Sequence, residues 1–337
     1  MTRAGELSPL MLSATEAELR LTLEGFPPAW YRELAQMIAY HLGWEDTDPH
    51  ARGKRVRPLL TLLTCAAAGG DWEQAVPAAA AVELIHNFSL IHDDVQDRSE
   101  TRRGRPTVWK RWGVAQAINT GDALFVAAHQ AASRLTSRAV EPHTVLAVHN
   151  CLDRACLRLT LGQHLDLAFE QSTEVSQTAY LEMITGKTAA LIEAATTAGG
   201  LVAGSPDARV RQFGEFGLHL GLAFQVLDDI LGIWGEPAVT GKPAGDDLIH
   251  RKKTLPVIIG LAESPAFAAL WSSGETGRAG LERLRQALQD AGVLEATRRE
   301  AEAHTRLALE ALQAAQATGP AANELRALAD TLLQRRH

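Results

Sequence analysis

Residues 89–106, "SLIHDDVQDRSETRRGRP", place three aspartates and several arginines within one short stretch. Asp93 and Asp97 are four residues apart, so on a helix they share one face with about 6 Å between their Cβ atoms. The preceding residues, "AVELIHNFSLI", are mostly apolar, which predicts a largely buried helix whose carboxylates need partners. Mg²⁺ takes hard oxygen ligands and fits this spacing, whereas a solvated acidic helix face is the simpler alternative.

A second pair of acids, Asp228 and Asp229, ends the apolar run "FQVLDD". Basic residues occur in several other short motifs: Lys54, Arg55, Arg57, Lys187, Lys242, Lys252 and Lys253. A diphosphate requires both kinds of residue, because metal ions bridge some phosphate oxygens and arginine offers paired donors to the others. Each basic residue alone is more commonly a surface charge, but together they predict a diphosphate site.

The bulk composition narrows the class of protein. The chain has 337 residues, of which 46% are hydrophobic and 22% charged, as in soluble globular proteins. Its net charge of −7 and the lack of a basic stripe argue against nucleic acid as the main partner. The three cysteines form no CxxC pair, and no signal peptide or apolar run of about 18 residues stands out. We expect a cytoplasmic protein with reduced cysteines and no transmembrane segment.

Apolar residues recur at three- and four-residue spacing along most of the chain, which predicts helices. This pattern covers residues 13–24, 28–42, 55–68, 76–95, 112–136, 141–170 and 205–231. Ser13 and Glu16 fit a capping box at the start of the first segment. The breaks are too short to be interdomain linkers. We predict one all-α domain over residues 1–337, with roughly ten or more helices, a motif-bearing core at about 50–260 and C-terminal helices at 260–337.

The motifs resemble those of the trans-isoprenyl diphosphate synthases, or polyprenyl synthetases, and most of all the geranylgeranyl diphosphate synthases. They follow in order as "GKRVRP", "LIHDDVQD", "RRGRPT", "GDAL", "GQHLDL", "GKTAAL", "FQVLDD", "GKPAGDDL" and "RKKTLP". The resemblance implies the isoprenoid synthase fold, an all-α bundle in which two aspartate-rich helices face a deep central cavity. It also implies head-to-tail condensation of isopentenyl diphosphate with an allylic diphosphate, and a homodimer.

The resemblance further implies a role for each matched residue. Three magnesium ions per active site would be held by Asp93, Asp94, Asp97, Asp228 and Asp229. The allylic diphosphate would be neutralised by Arg102, Lys187 and Lys242. Isopentenyl diphosphate would be bound by Lys54, Arg57, His86 and Arg103, with Lys252 as a further substrate-binding residue. Thr188 and Gln225 would face the allyl cation, while supporting or structural roles fall to His92, Gln163 and Asp166.

One position departs from the family pattern. The second cluster usually reads DDxxD, but this sequence has Gly232 where the last aspartate is expected. The structural alternative is that Gly232 only marks a helix end. The functional expectation is weaker coordination near Asp228 and a raised magnesium requirement, since lost outer-shell groups typically cost about 10–100-fold in affinity or activity. Restoring aspartate at Gly232 is then expected to lower the requirement.

Product length is predicted from the residues one turn before the first cluster. Ser89 and Phe88 lie four and five residues before Asp93. Their pattern of one large and one small side chain, without a two-residue insertion in the cluster, resembles synthases that stop at geranylgeranyl diphosphate (C20). Phe88 as an ordinary core residue is the simpler alternative. Farnesyl (C15) or longer products remain open.

Three other classes of protein remain as alternatives. A terpene cyclase has similar aspartates but binds one diphosphate substrate and has no need of "GKRVRP" or a second phosphate-binding arginine. A non-catalytic regulatory subunit of a heteromeric prenyl synthase is expected to lack the first cluster, which is present here. A purely structural helical protein is not expected to bury so many acids opposite so many bases.

Overall fold

Helices dominate the structure, a computed structural model that describes residues 7–24, 28–235, 245–274 and 277–333. The only strands in those residues form one antiparallel hairpin, β1 (Thr101–Arg102) and β2 (Arg105–Pro106). The α-helices are α1 (Leu7–Glu24), α2 (Pro28–His41), α3 (Val56–Ala67), α4 (Val76–Gln96), α5 (Val108–Trp112), α6 (Val114–Ser133), α7 (Pro142–Gln171), α8 (Gln177–Ile184), α9 (Ala190–Val202), α10 (Asp207–Trp234), α11 (Asp246–Ile249), α12 (Leu255–Glu263), α13 (Pro265–Ser272), α14 (Gly277–Asp290), α15 (Val293–Ala314) and α16 (Gly319–Leu333). The all-α prediction is confirmed.

The chain divides into two compact units. The first unit consists of Met1–Cys156, Ala194–Gly214 and Ala314–Arg326. The second unit consists of Leu157–Glu193, Glu215–Gln313 and Ala327–His337. The first aspartate cluster therefore belongs to the first unit, and the second cluster belongs to the second.

In the first unit, α4 packs against α6. Four consecutive alanines of α4 are fully buried, and so are four alanines of α6: Ala78, Ala79, Ala80, Ala81, Ala127, Ala128, Ala131 and Ala132. Small residues allow two helix backbones to approach closely, and close packing fixes the helix that ends in the first aspartate cluster. The prediction that this helix is largely buried is confirmed.

The N-terminus of α1 differs from the prediction. The helix begins at Leu7, so Ser13 and Glu16 lie inside it and do not form a capping box. Glu324, which is distant in sequence, accepts hydrogen bonds from the backbone N–H groups of Leu7 (3.2 Å) and Ser8 (3.0 Å). A carboxylate can satisfy the first N–H groups of a helix from anywhere in the fold, so a local pattern does not reveal it.

In the second unit, the core forms around large buried side chains, including Tyr180, Phe267, Trp271, Leu284 and Leu288. Between α12 and α13 the chain bends by 111°. Ser264 lies at this bend, and its hydroxyl oxygen accepts a hydrogen bond from the Phe267 N–H at 3.2 Å. The serine therefore caps α13 and allows both helices to contribute to one core.

Two predictions from composition concern the cysteines and membrane-spanning segments. Cys65, Cys151 and Cys156 are reduced and buried, as predicted, and burial raises the pKa of Cys65 and Cys156 to about 12. Among the described residues, α10 is the one unbroken helix that is long and apolar enough to cross a membrane by length and composition. Its most apolar window is 61% buried inside the protein, as is typical of a core helix.

Candidate active site

The first aspartate cluster lies at the C-terminal end of α4. Arg98 has a left-handed backbone conformation (φ 52°), and the Ser99 N–H donates to the carbonyl oxygen of Asp94 at 2.9 Å. This bond and the left-handed residue form the helix-ending motif that normally uses glycine. The motif fixes Asp93 and Asp94 in the last turn of α4, with Asp97 directly after it.

The three aspartates have different surroundings. Asp94 is 2% exposed, and its two carboxylate oxygens accept from Nε of Arg102 at 2.9 and 3.0 Å, while Nη2 lies 2.8 Å from Oδ1. Burial raises the pKa of Asp94, and Arg102 opposes that rise. Asp93 is half-buried and Asp97 is exposed. The carboxylate of Asp94 is therefore used to hold Arg102, whereas those of Asp93 and Asp97 are more accessible.

A tight hairpin positions the two adjacent arginines. Arg102 pairs with Arg105 across the strands, and both turn residues, Arg103 (φ 52°) and Gly104 (φ 74°), have positive φ. Two consecutive positive φ values define the type I′ turn that suits a two-residue hairpin. Arg103 donates from Nη1 to the backbone oxygen of Ala51 at 3.1 Å. The two neighbouring arginines therefore have different partners, and their different roles in substrate binding stay predictions.

Cationic side chains surround a neutral histidine in the first unit. Arg57 Nη1 lies 3.1 Å from His86 Nε2, and because arginine can only donate, Nε2 accepts and the ring proton lies on Nδ1. Burial lowers the pKa of His86 well below its usual value, and the positive charges of Arg57, Arg103 and Arg102 lower it further. The pKa of His41 is lowered by the same kinds of cause. The positive potential of this region is what an anionic ligand requires.

We expect His86 to make the stability of the protein depend on pH. Because the pKa of His86 is lower in the folded state, only the unfolded chain takes up this proton just below pH 6.5, which favours unfolding. The unfolding free energy of wild type minus that of His86→Gln should then fall by up to about 1.4 kcal/mol for each unit by which the pH is lowered below 6.5. Urea denaturation between pH 7.5 and 5.5 measures it. The exposed His143 provides the control, His143→Gln, and parallel curves for wild type and His86→Gln would contradict the account.

The basic residues of the motif "GKRVRP" have two kinds of surroundings. One forms buried ion pairs within the fold, and the other two remain predicted ligands of a diphosphate. Arg55 is 5% exposed and forms ion pairs with Glu16 and Glu83, both at 2.7 Å. It therefore holds α1, α3 and α4 together rather than facing a ligand. Arg57 contacts His86 as described above, and its buried Nε has no hydrogen-bond partner among the described residues. Lys54 is exposed at the start of the motif. Lys54 and Arg57 remain the predicted ligands of a diphosphate.

In the second unit, α10 carries the second aspartate pair. Asp228 is exposed, whereas Asp229 is 3% exposed and fully engaged. Asp229 accepts hydrogen bonds from the Tyr180 hydroxyl, the Leu255 N–H at 3.0 Å and the Gln225 amide at 3.0 Å. Burial raises the pKa of Asp229 to about 7, and these hydrogen bonds oppose the rise. Both clusters thus combine one buried, hydrogen-bonded aspartate with more accessible neighbours.

Lys187 lies on a π-helical turn, Thr185–Ala189, between α8 and α9. π-Helical turns are rare in proteins as a whole, and those that occur are often found at functional sites. Lys187 Nζ donates to Asp166 Oδ2 at 2.5 Å. The supporting role of Asp166 stays a prediction. A Cβ atom on Gly162 would lie 2.1 Å from the Lys187 backbone nitrogen. The glycine therefore permits α7 to approach the turn that presents Lys187.

A hydrogen-bond chain orients the two residues predicted to face a cation. The Thr188 hydroxyl donates to Gln225 Oε1 at 2.8 Å, and the Gln225 amide nitrogen donates to Asp229. The Thr188 oxygen therefore keeps its lone pairs available. Gln163 is 5% exposed, and both polar atoms of its amide have no hydrogen-bond partner among the described residues. Buried unpaired amides are costly and therefore rare in proteins.

The remaining basic residues of the second unit are placed differently. Lys252 is exposed, and its role in substrate binding stays a prediction. Lys253 donates to the backbone oxygens of Phe169 (2.6 Å) and Glu170 (3.4 Å), in the last turn of α7. It therefore caps that helix. Lys242 lies outside the described residues.

Phe88 and Ser89 lie one turn before the first cluster, as the sequence predicts. The Phe88 ring contacts Phe125 of α6 edge-on at 5.1 Å between centroids, and His92 at 5.6 Å. Ser89 is buried, and its hydroxyl donates to the backbone oxygen of His86 at 2.8 Å. His92 lies 3.2 Å from the backbone oxygen of Ile118, which supports a structural role. Phe88 is half-buried and is braced by a second aromatic ring.

Sequence reasoning missed the residues that orient this site. Tyr180, the Leu255 N–H and Glu83 each hold a residue of a predicted motif, yet none of them lies in an acidic or basic pattern. The signal for Tyr180 was chemical, because a buried tyrosine hydroxyl usually needs a partner. Its partner, Asp229, is 49 residues away in sequence.

The donor chemistry of both units fits magnesium bound together with a phosphate ligand. No group of three or more His, Cys, Asp or Glu side chains within the described residues could hold a metal by itself. Mg²⁺ usually takes only one or two carboxylates, and waters and substrate phosphates complete its shell. The carboxylates of Asp93 and Asp97 in the first unit and of Asp228 in the second, each with cationic side chains in its own unit, match that mode of binding.

Comparison with known proteins identifies the family. The polyprenyl synthetase family model matches residues 46–290. A geranylgeranyl diphosphate synthase from Mycobacterium tuberculosis is 45% identical over 76% of this chain and 73% of its own length. A (2E,6E)-farnesyl diphosphate synthase from Mycobacterium bovis is 44% identical over 72% and 68%. The crystal structure of a polyprenyl synthetase from Streptomyces coelicolor superposes with a TM-score of 0.87 at 35% identity, covering 96% of this chain and 98% of that one. The chain is a member of the polyprenyl synthetase family of trans-prenyltransferases.

Proposed function

We propose that the protein condenses isopentenyl diphosphate head-to-tail with an allylic diphosphate and releases geranylgeranyl diphosphate. The observation that carries the proposal is that Arg57 and Arg103 place positive charge beside the neutral His86, whereas the side chain of Arg102 is held by the carboxylate of Asp94. A second diphosphate substrate needs such a second set of donors. The relatives named as geranylgeranyl and farnesyl diphosphate synthases support this assignment.

The residues divide between the two substrates. Arg102, Lys187 and Lys242 neutralise the diphosphate that leaves the allylic substrate, and Lys54, Arg57, His86 and Arg103 bind isopentenyl diphosphate. Magnesium, as three ions per active site, supplies positive charge that stabilises the leaving diphosphate. Asp93, Asp97 and Asp228 are its proposed ligands. Asp94 and Asp229 position the neighbouring groups through the hydrogen bonds described above.

The allyl cation formed when the diphosphate leaves must be stabilised and kept dry. The Thr188 hydroxyl oxygen and the Gln225 amide oxygen stabilise the cation by pointing their partial negative charges towards it. Their orientation is fixed because Gln225 donates to the buried Asp229. The departing diphosphate takes the final proton, so the reaction needs no histidine base.

Release of inorganic diphosphate separates this proposal from a terpene cyclase. A synthase releases it rapidly only when isopentenyl diphosphate and an allylic diphosphate are both present with magnesium. A cyclase releases it from the allylic substrate alone. A coupled assay of inorganic diphosphate makes the comparison, and equal rates with and without isopentenyl diphosphate would reject the proposal.

We expect Phe88→Ala to lengthen the product by one or more five-carbon units. The Phe88 ring, braced by Phe125, is proposed to form the floor against which the growing chain stops, and alanine removes that bulk. Mass spectrometry of the dephosphorylated products measures the shift. Leu90→Ala, on the same helix and similarly half-buried, is the control and should leave the product unchanged. The same product distribution in Phe88→Ala and wild type would place the floor elsewhere.

The remaining predictions are also proposals. We propose one domain over the whole chain, a cytoplasmic location and a homodimer, as is typical of the family. Exposed apolar side chains in the first unit support the dimer, namely Ile118 (42% exposed) and Val126 (52%) on α6 and Leu146 (61%) on α7. Burying such residues against a second copy removes apolar surface from water.

A further inference from the structure

Tyr40, in the last turn of α2, holds the β1–β2 hairpin although it belongs to none of the sequence motifs. Its side-chain hydroxyl donates to the backbone oxygen of Pro106 at 2.7 Å. Its own backbone oxygen accepts from Nη2 of Arg105 at 3.0 Å. The two polar ends of one residue therefore bind both residues of β2.

The aromatic ring of Tyr40 makes a second set of contacts. Tyr40 is 9% exposed, and Cζ of Arg105 lies 4.6 Å from the centroid of its ring. Arg111 of α5 lies over the same ring at 4.6 Å, and Trp112 meets it edge-on at 5.1 Å between centroids. Guanidinium groups are attracted to the face of an aromatic ring. The ring should therefore stay packed if the hydroxyl alone is removed.

The two arginines at the tip of the hairpin depend on Tyr40 to different extents. Arg102 has an anchor of its own, because both carboxylate oxygens of the buried Asp94 accept hydrogen bonds from it. Arg103 lies in the turn, and its Nη1 donates to the backbone oxygen of Ala51. A neutral carbonyl group is a weaker anchor than a carboxylate. The position of Arg103 should therefore follow the position of the hairpin more closely.

The C-terminal end of α2 is suited to holding cationic side chains. The last carbonyl groups of a helix have no partner within the helix and carry partial negative charge. Directly after Tyr40, the backbone oxygen of Leu42 accepts from Arg55 at 3.3 Å, and that of Gly43 accepts from Arg52 at 3.4 Å. Carbonyl oxygens hold these arginines without cancelling their charge. The positive potential of the region is thus kept for an anionic ligand.

We propose that Tyr40 is a positioning residue for Arg103, and that it thereby sets the affinity for isopentenyl diphosphate. The inference rests on the proposed function, in which Arg103 binds isopentenyl diphosphate and Arg102 binds the allylic diphosphate. Because Asp94 holds Arg102 separately, loss of the Tyr40 hydroxyl should weaken the binding of one substrate and not of the other. A purely structural role of Tyr40 would not separate the two substrates.

Steady-state kinetics of Tyr40→Phe test the proposal, since this change removes the hydroxyl and keeps the ring. We expect KM for isopentenyl diphosphate to rise about 5-fold, while kcat and KM for the allylic diphosphate stay within about 2-fold of wild type. Arg105→Gln, which removes the donor to the Tyr40 backbone oxygen, should change the same constant in the same direction. Arg111→Gln is the matched control, because Arg111 lies over the same ring but belongs to α5. It should leave both KM values unchanged.

Calorimetric titration with isopentenyl diphosphate alone gives a readout without turnover. Tyr40→Phe should bind it about 5-fold more weakly than wild type, a difference of about 1 kcal/mol. Equal affinities, or equal rises in KM for both substrates, would overturn the inference. A wild-type protein that binds isopentenyl diphosphate but elongates no starter would reject the proposed function. Weaker binding by Tyr40→Phe would then still support the positioning role.

Discussion

Asp93→Asn is expected to lower the rate of elongation by about 10³-fold, because it removes a negative charge from a group proposed to hold magnesium on the leaving diphosphate. Asp93 lies in the last turn of α4, where the backbone is fixed by the helix-ending motif at Arg98. Asparagine keeps the size of the side chain, so the fold should be retained. Steady-state release of inorganic diphosphate at saturating magnesium measures the loss.

The control for this variant is Asp153→Asn. Asp153 also belongs to the first unit, and its side chain is 59% exposed. This substitution should change the rate by less than 2-fold, or about 0.4 kcal/mol. Loss of activity by Asp93→Asn together with a lowered unfolding midpoint would indicate a structural role for Asp93 and contradict the account.

Glu83→Gln is expected to lower the free energy of unfolding by about 3 kcal/mol, since breaking a buried ion pair leaves an uncompensated charge. Glu83 is 2% exposed and accepts from Arg55 at 2.7 Å and from Asn87 at 2.8 Å. The second partner of Arg55, Glu16, keeps the loss near the lower end of the usual range. Urea denaturation at pH 7.5 measures it.

Glu100→Gln is the matched control, because Glu100 pairs with Lys110 at the surface and its side chain is 62% exposed. Exposed pairs contribute less than about 1 kcal/mol. If Glu83→Gln were as stable as Glu100→Gln, Arg55 would not depend on this pair. Arg55 would then be open to a role in binding diphosphate.

The sequence predicted the accessible groups of the site better than the buried ones. The four-residue spacing of Asp93 and Asp97 is a local property of a helix, so their position followed from α4 itself. Asp94 lies between them, and only the fold shows that its carboxylate is used by Arg102. The same holds for Asp229, whose partners Tyr180 and Leu255 are far away in sequence.

Adjacent residues of one motif were also hard to separate from sequence. Arg55 and Arg57 are both basic, but one forms buried ion pairs with Glu16 and Glu83, whereas the other contacts His86. Which of two neighbouring arginines is buried depends on the backbone at the start of α3, where Arg55 has a φ of 47°. No pattern of charge or periodicity encodes that torsion angle.

Gly232 has a tertiary contact that the sequence does not predict. A Cβ atom at this position would lie 1.9 Å from Oδ2 of Asp247, fifteen positions later in the chain. Such a contact becomes visible only when both residues are placed in the fold.

Measuring the chain length of the product is the most direct test of the claim that the protein makes geranylgeranyl diphosphate. Purified protein is incubated with isopentenyl diphosphate, magnesium and each allylic diphosphate in turn, and the dephosphorylated products are identified by mass spectrometry. The account predicts a twenty-carbon alcohol from every starter that is accepted. The absence of any elongated product at all magnesium concentrations would contradict it and would favour a non-catalytic subunit.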